Sequence, residues 1–180
     1  VLTPCKLISK VFENKDTPVW TVPLGLDQEK FRHLQERKNQ GRASIHIIGR
    51  FDPVKGQREF FQVFSKMLSE WKSSKQPFLH LMGQEENLTT KELRESAEKK
   101  GLVLGRDFQI TPYRVDNIQN IYSQTDLLVI PSLGSEVICR VAQESLMCGT
   151  KVLVSGAGAL EEVLLDESFG SSYKNLSEND

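Results

Sequence analysis

An arginine and a lysine share one short turn sequence, Gly49-Arg50-Phe51-Asp52-Pro53-Val54-Lys55-Gly56. It lies between an apolar run at 44–48 and a stretch with helical periodicity, so it reads as a strand-to-helix connection. Two cations beside the free N–H groups of a helix start suit a diphosphate and neutralise it without a metal. Spacing alone leaves a second reading open, two solvated cations on a surface turn. The next candidate is Gly134-Ser135-Glu136, with Glu144 eight positions after Glu136. On one helix these glutamates fall about two turns apart on nearly the same face, Glu136 at the entrance and Glu144 deeper. A carboxylate accepts from both hydroxyls of a vicinal diol, so the pair suits sugar hydroxyls. It reads equally as one glutamate favoured by the helix dipole and one ordinary helical residue. Gly156-Ala157-Gly158 begins like G-x-G-x-x-G, but Glu161 stands at the third glycine, and a plain glycine turn suffices.

Other chemistries lack their residues. There is no G-x-x-x-x-G-K-[ST] phosphate loop and no G-x-S-x-G elbow. His33, His46 and His80 have no metal-ligand spacing, and the latter two fall inside predicted strands as structural residues. The elements that must position the candidates alternate. Short apolar runs predict strands over 44–48, 78–82, 108–110, 127–130 and 151–154, with a further short one at 19–22. Phe60, Phe64, Met67 or Leu68, and Trp71 predict a helix after Gly56, and Thr89 with Glu92 predicts a capping box opening another. Helices are expected from about 116, over 137–147 and over 160–165, with a short helix and loop in 27–40. This alternation implies an α/β fold, a Rossmann-like parallel sheet flanked by helices. Its ligands bind beyond the carboxyl ends of the strands, which directs attention to 49–56, 83–87, 111–116, 131–140 and 155–161.

The 180 residues suffice for one domain of ordinary size, and 38% hydrophobic with 26% charged residues is a globular balance. A net charge of -1 with scattered cations gives no sign of a nucleic-acid partner, and none is expected. Three cysteines without a C-x-x-C pair argue against a disulfide framework and for a reducing, cytoplasmic setting. No apolar run approaches the roughly 20 residues that span a bilayer, so no transmembrane segment is expected.

The order of the candidates resembles family 4 glycosyltransferases across residues 19–165. Val22-Pro23-Leu24-Gly25-Leu26-Asp27 with Phe31 is similar to that family's "PNGVD…F", and Gly49-Arg50, Pro53 and Lys55-Gly56 to its "GR…P.KG". Leu81-Met82-Gly83, then Tyr122, Asp126 and Ile130-Pro131-Ser132, resemble its strand ends. Glu136 and Glu144 match its E-x7-E, Gly149 with Val152 its "G.PV", and Gly158 with Glu161 or Glu162 its closing "GG..E".

The resemblance implies the C-terminal, donor-binding half of a GT-B fold. It implies a retaining hexosyltransferase that takes a UDP-, GDP- or ADP-sugar donor and requires no metal or other cofactor. By matching positions, Arg50 and Lys55 with Gly49 hold the diphosphate and stabilise the leaving group. Glu136 contacts the donor sugar and Glu144 the ribose. Gly83 belongs to the donor site, and the backbone near Tyr113 and Arg114 faces the base. Val137, Ile138 and Cys139 stand where the family has Gly-Phe-Gly at the phosphates, Lys151 replaces a proline, and Thr111 replaces a strand-end glycine. The implied organisation is an interdomain linker or N-terminal extension at 1–20, a nucleotide-sugar-binding domain at 21–170 and a flexible tail at 171–180. The implied partner is an N-terminal acceptor domain outside these residues, without which this domain is a monomer of little or no activity. The implied setting is polysaccharide or lipopolysaccharide assembly, cytoplasmic or at the inner face of the membrane through the other half, with no direct membrane contact from this domain. Two alternatives stay open: a nucleotide-sugar epimerase of the same fold, and a non-catalytic nucleotide-binding module.

Overall fold

The computed structural model describes residues 1–13, 16–33, 41–134, 136–164, 166 and 168–173. The chain opens with β1 (Leu2–Thr3), α1 (Lys6–Ser9), a 3-10 turn (Lys10–Phe12) and β2 (Trp20–Thr21). β1 and β2 pair in parallel as a small sheet of their own. Within residues 1–20, expected as a linker or extension, the described residues thus form several short elements. Thr3 and Cys5 are buried within it, and Thr3, Ser9 and Thr21 are joined through their hydroxyls.

The main sheet contains β3 (Ser44–Ile48), β4 (Phe78–Met82), β5 (Phe108–Thr111), β6 (Leu127–Ile130), β7 (Lys151–Ser155) and β8 (Gly170–Tyr173). Its order is β5-β4-β3-β6-β7-β8, and every pairing is parallel. The Rossmann-like parallel sheet is thus as expected, extended by β8. Residues 171–173 belong to this edge strand rather than to a loose tail, because β7 has a free edge for their backbone groups. Residues 174–180 lie outside the described residues.

The helices are α2 (Gln57–Glu70), α3 (Thr90–Lys99), α4 (Ile118–Gln124) and α5 (Arg140–Met147). α2 forms where the helical spacing places it, except that Trp71 lies just past its end and is exposed. Phe60, Phe61, Phe64 and Leu68 are buried against Ile45, Ile47, Leu79, Leu81 and Phe108. Phe61 and Phe64 are fully buried, and cutting either to alanine costs about 3–5 kcal/mol by the usual cavity argument. Thr89 and Glu92 form both bonds of the capping box that starts α3. On the other side, Leu128, Ile130, Ala142, Val152, Val154 and Leu160 make a second cluster. Phe31, Tyr122 and Cys148 make a third.

One expected helix falls partly outside the described residues, and another begins late. Asp27 Oδ1 accepts from the N–H groups of Glu29 and Lys30, so the chain makes a side-chain-closed turn there, and residues 34–40 lie outside the described residues. The helix expected over 137–147 begins only at Arg140. Val137 and Ile138 are β-branched, and the Glu136 carbonyl accepts from Ala159 rather than from the next turn of a helix.

His46 and His80 are cross-strand neighbours with ring centroids 5.3 Å apart. His46 Nδ1 meets Thr125 Oγ1 at 3.1 Å, and His80 Nε2 meets Thr111 Oγ1 at 2.8 Å. Burial, then the neighbouring His80, push the His46 pKa down to about 4. Both histidines are structural, and Thr111 supplies a partner that a glycine there could not. Among the described residues no helix is long and apolar enough to cross a membrane.

Candidate functional site

The sheet reverses its winding between β3 and β6: β4 and β5 lie beyond β3, and β7 and β8 beyond β6. A crevice opens at the carboxyl end of such a seam, because the following connections leave in opposite directions. Two adjoining cavities occupy it. One, of about 220 Å³, is lined by Ile47 and Ile48 of β3, Val129 and Ile130 of β6, and Arg50, Lys55, Gln57, Ser132, Glu136 and Cys139. The other, of about 280 Å³, is lined by Gly49, Arg50, Gly83, Tyr113, Arg114 and Glu144, with Lys30, Gln84, Asp116 and Tyr122. Ile48, Gly49 and Arg50 belong to both.

The 49–56 connection owes its shape to short-range chemistry. The Asp52 carboxylate accepts from the Val54 N–H at 2.9 Å and from the Asn87 amide at 2.6 Å, which hold its pKa below the usual carboxylate range. It caps a 3-10 turn (Pro53–Lys55) whose first residue is proline, and Gly56 leaves the turn at φ 69°. A Cβ at Gly56 would lie 1.9 Å from the Pro131 carbonyl oxygen, so only glycine lets this turn close on the β6 end. Lys55 is thereby delivered to Glu136, and their side chains form an ion pair. Ser132 Oγ donates to the same Glu136 oxygen at 2.7 Å. The Glu136 backbone is gripped from behind. Ala159 N–H donates to its carbonyl at 2.7 Å, and a Cβ at Gly158 would come within 2.0 Å of that oxygen. The glycine turn at 156–158 therefore seats Glu136.

Arg50 reaches the opposite wall, where its Nη1 lies 2.8 Å from both carboxylate oxygens of Glu86. Gln57 is buried beneath it, donating to the Arg50 carbonyl at 2.9 Å. Glu144 Oε2 accepts from the Tyr122 hydroxyl at 3.1 Å, and Glu144 Oε1 lies 3.5 Å from Arg140. Burial, with the Glu144 carboxylate next to it, raises the Tyr122 pKa, so the hydroxyl stays a donor. Burial pushes the Cys139 thiol up to about 11, against backbone N–H groups that lower it, which keeps it neutral near pH 7 and a poor nucleophile.

Glu136 and Glu144 thus do not share a helix face. Glu136 lies in the loop before α5 and faces the cavity with Lys55; Glu144 lies on α5 and faces the cavity with Tyr113 and Arg114. Val137 and Ile138 are separated from both. They line a third cavity of about 540 Å³ with Pro4, Lys6, Gln143 and Glu162, and Cys139 lies on the wall between that space and the Lys55 cavity. Lys30, Gln84, Glu86, Asp116 and Ser132 escape sequence reasoning. Ser132 follows Pro131 at a strand end and Asp116 opens a predicted helix, neither with a role at the site, and Lys30, Gln84 and Glu86 carry no spacing signal. Among the described residues, no group of three or more His, Cys, Asp and Glu side chains converges to hold a metal ion. Chemically, the seam offers a cationic chamber with a carboxylate and an adjoining chamber with an aromatic ring, backbone groups and a second carboxylate.

Comparison with known proteins gives these chambers a context. Residues 28–178 match the family model of glycosyl transferases group 1. Over 181 residues the chain is 24% identical to the lipopolysaccharide 1,2-N-acetylglucosaminetransferase of Salmonella typhimurium, covering 92% of this chain and 46% of that protein. Sucrose-phosphate synthase from Thermosynechococcus elongatus superposes with a TM-score of 0.80 at 19% identity, over 99% of this chain and 46% of that one. Anabaena HepE, solved in complex with UDP and glucose, superposes with a TM-score of 0.77 at 18% identity, over 98% and 50%. The chain therefore spans about half the length of these relatives. With the family model matched across most of its length, and the parallel sheet shared with GT-B neighbours, this chain belongs to the group 1 glycosyl transferases.

Proposed function

We propose that this chain binds the nucleoside-diphosphate-sugar donor for a retaining glycosyl transfer of the family 4 type. The observation that carries this is the pair of adjoining cavities meeting at Gly49 and Arg50, one holding Lys55 and Glu136 and the other Glu144. A nucleoside fits the chamber with Gly83, Tyr113 and Arg114, its ribose hydroxyls donating to Glu144. The diphosphate crosses the shared wall, where Arg50 and Lys55 oppose its charge. The sugar then lies towards Glu136, whose carboxylate accepts from its hydroxyls. Charge that develops on the diphosphate as the glycosidic bond breaks is met by fixed cations, the role a metal plays elsewhere, so no metal is required. Retention of anomeric configuration rests on the family 4 resemblance. UDP is the first nucleotide to test, because the Anabaena relative was solved with it.

The acceptor contacts belong, in this proposal, to an N-terminal domain outside these residues, and residues 21–170 alone are a monomeric donor-binding unit with little or no activity. A hexose-type sugar passed to a growing polysaccharide or lipopolysaccharide suits the name of the Salmonella relative. Such work is done in the cytoplasm, at the inner face of the membrane through that other half.

The test is calorimetric titration with UDP, GDP and ADP in the presence of a chelator, beside an Arg50→Ala/Lys55→Ala variant. Binding of one nucleotide, lost in the variant, is expected. If none of the three binds, even to a protein that carries the upstream half, the proposal fails.

A further inference from the structure

The closing glycine-and-glutamate pattern of the sequence leaves two candidates, Glu161 and Glu162, without a role for either. Geometry separates them. Glu162 Oε2 accepts from the Lys6 N–H at 2.7 Å, and Glu162 Oε1 accepts from the Leu7 N–H at 2.8 Å. A carboxylate bound by two successive backbone N–H groups is fixed in orientation as well as position, and each bond is charge-assisted. The bonds join residues more than 150 positions apart in the chain. They matter because, among the described residues, no strand pairing ties the small β1–β2 sheet to the main one.

The other end of the same turn holds the donor-site loop. Glu162 N–H donates to the Ala159 carbonyl at 3.1 Å, and Ala159 N–H donates to the Glu136 carbonyl at 2.7 Å. Gly158, at φ 61°, packs against that same carbonyl. A single 3-10 turn (Leu160–Val163) therefore binds the N-terminal segment on one side and the backbone of Glu136 on the other. The cavity of about 540 Å³ is lined by residues of both partners, Lys6 from the N-terminal segment and Val137 and Ile138 from the loop after Glu136, with Glu162.

We propose that Glu162 is a positioning residue that locks the N-terminal segment to the loop presenting Glu136, so that the placement of that segment and occupancy of the donor site are coupled. The coupling to occupancy rests on the donor-site reading above. By linkage it is reciprocal: a ligand that orders the Glu136 loop tightens the hold on Lys6 and Leu7, and loss of that hold weakens the ligand.

Amide hydrogen exchange, resolved by residue, tests both halves. Without ligand, Glu162→Ala is expected to speed exchange at Lys6, Leu7 and Ala159 by tenfold or more. Glu162→Gln, which keeps one acceptor oxygen, falls between and covers the case in which the alanine variant folds poorly. Glu161→Ala, with the same charge change, leaves all three amides as they were. If Lys6 and Leu7 speed up while Ala159 does not, Glu162 merely caps the N-terminal segment and the proposal is overturned. With saturating UDP, exchange at Lys6 and Leu7 is expected to slow in the wild type, and UDP affinity to fall three- to tenfold in Glu162→Ala. UDP that binds without slowing those amides overturns the coupling. A wild type that binds no UDP while Glu162→Ala still releases Ala159 upholds the positioning role and removes the donor-site reading instead.

Discussion

Lys55 and Glu136 offer the sharpest test of the site's internal logic. The Glu136 side chain retains 7% of its exposure and the Lys55 side chain 26%, so the carboxylate is nearly buried and the ammonium is not. One Glu136 oxygen serves both Lys55 and Ser132. In Lys55→Ala the donor left to that oxygen among the described residues is the neutral Ser132 hydroxyl. Removing one partner of a buried pair costs about 3–5 kcal/mol, because the other charge stays desolvated. Water can reach the gap left by a lysine that is a quarter exposed, so a loss of about 2–3 kcal/mol is expected. In a domain of this size that lowers the thermal midpoint by about 4–12 °C.

The partner variant behaves differently. In Glu136→Gln the lysine turns to water, and the loss is that of an ordinary hydrogen bond, about 1 kcal/mol. The double variant has no stranded charge, so it should lose about 1–2 kcal/mol instead of the 3–4 that addition gives. The assay is urea unfolding of all four proteins at neutral pH, followed by circular dichroism. Losses that add to within about 0.5 kcal/mol would refute the claim that Lys55 compensates a buried Glu136.

Two further outcomes follow from the packing. The folded pKa of His46, about 4, lies below the unfolded value near 6.5, so the neutral form belongs to the folded state. Its contribution is whole above pH 6.5 and drains away as pH falls towards 4, by about 3 kcal/mol at most; urea midpoints from pH 7.5 to 4.5 should fall, and His46→Gln should flatten that fall. Gly158→Ala puts a methyl within 2.0 Å of the Glu136 carbonyl oxygen at a φ of 61°, so the loop must move. It should cost about 2–4 kcal/mol in stability and at least tenfold in nucleotide affinity by titration, and unchanged affinity would mean that the 136 loop plays no part in binding.

What could be read from the sequence was local. The strands at 44–48, 78–82 and 127–130 are buried on both faces, and their apolar runs say so. Thr89 and Glu92 state a capping box within four residues, and it forms. Gly49, Arg50 and Lys55 were legible as candidates because a strand end, a proline turn and a helix follow one another directly. β8 was not, since Gly-Ser-Ser-Tyr has no apolar pattern and becomes a strand only because β7 offers a free edge. The start of α5 was misplaced because the bond that holds the Glu136 carbonyl comes from Ala159, beyond any local pattern. Glu86 on Arg50, Tyr122 on Glu144 and Glu162 on Lys6 are likewise products of the tertiary fold.

Those long-range pairs change how the proposed site must work. Each cation assigned to the diphosphate already holds a carboxylate, Arg50 with Glu86 and Lys55 with Glu136. An entering diphosphate gains only the difference between itself and those partners. The Arg50–Glu86 pair is about half exposed and is worth about 0–1 kcal/mol, so displacing it costs little. The Lys55–Glu136 pair is more deeply set, and its opening has a second effect. The carboxylate released from Lys55 is the one assigned to the sugar hydroxyls. A diphosphate that draws Lys55 away therefore frees Glu136 at the moment its ligand arrives, while Ser132 and the Ala159 bond keep it in place. A nucleoside monophosphate, which lacks the second phosphate, should leave the pair closed and bind without engaging Glu136.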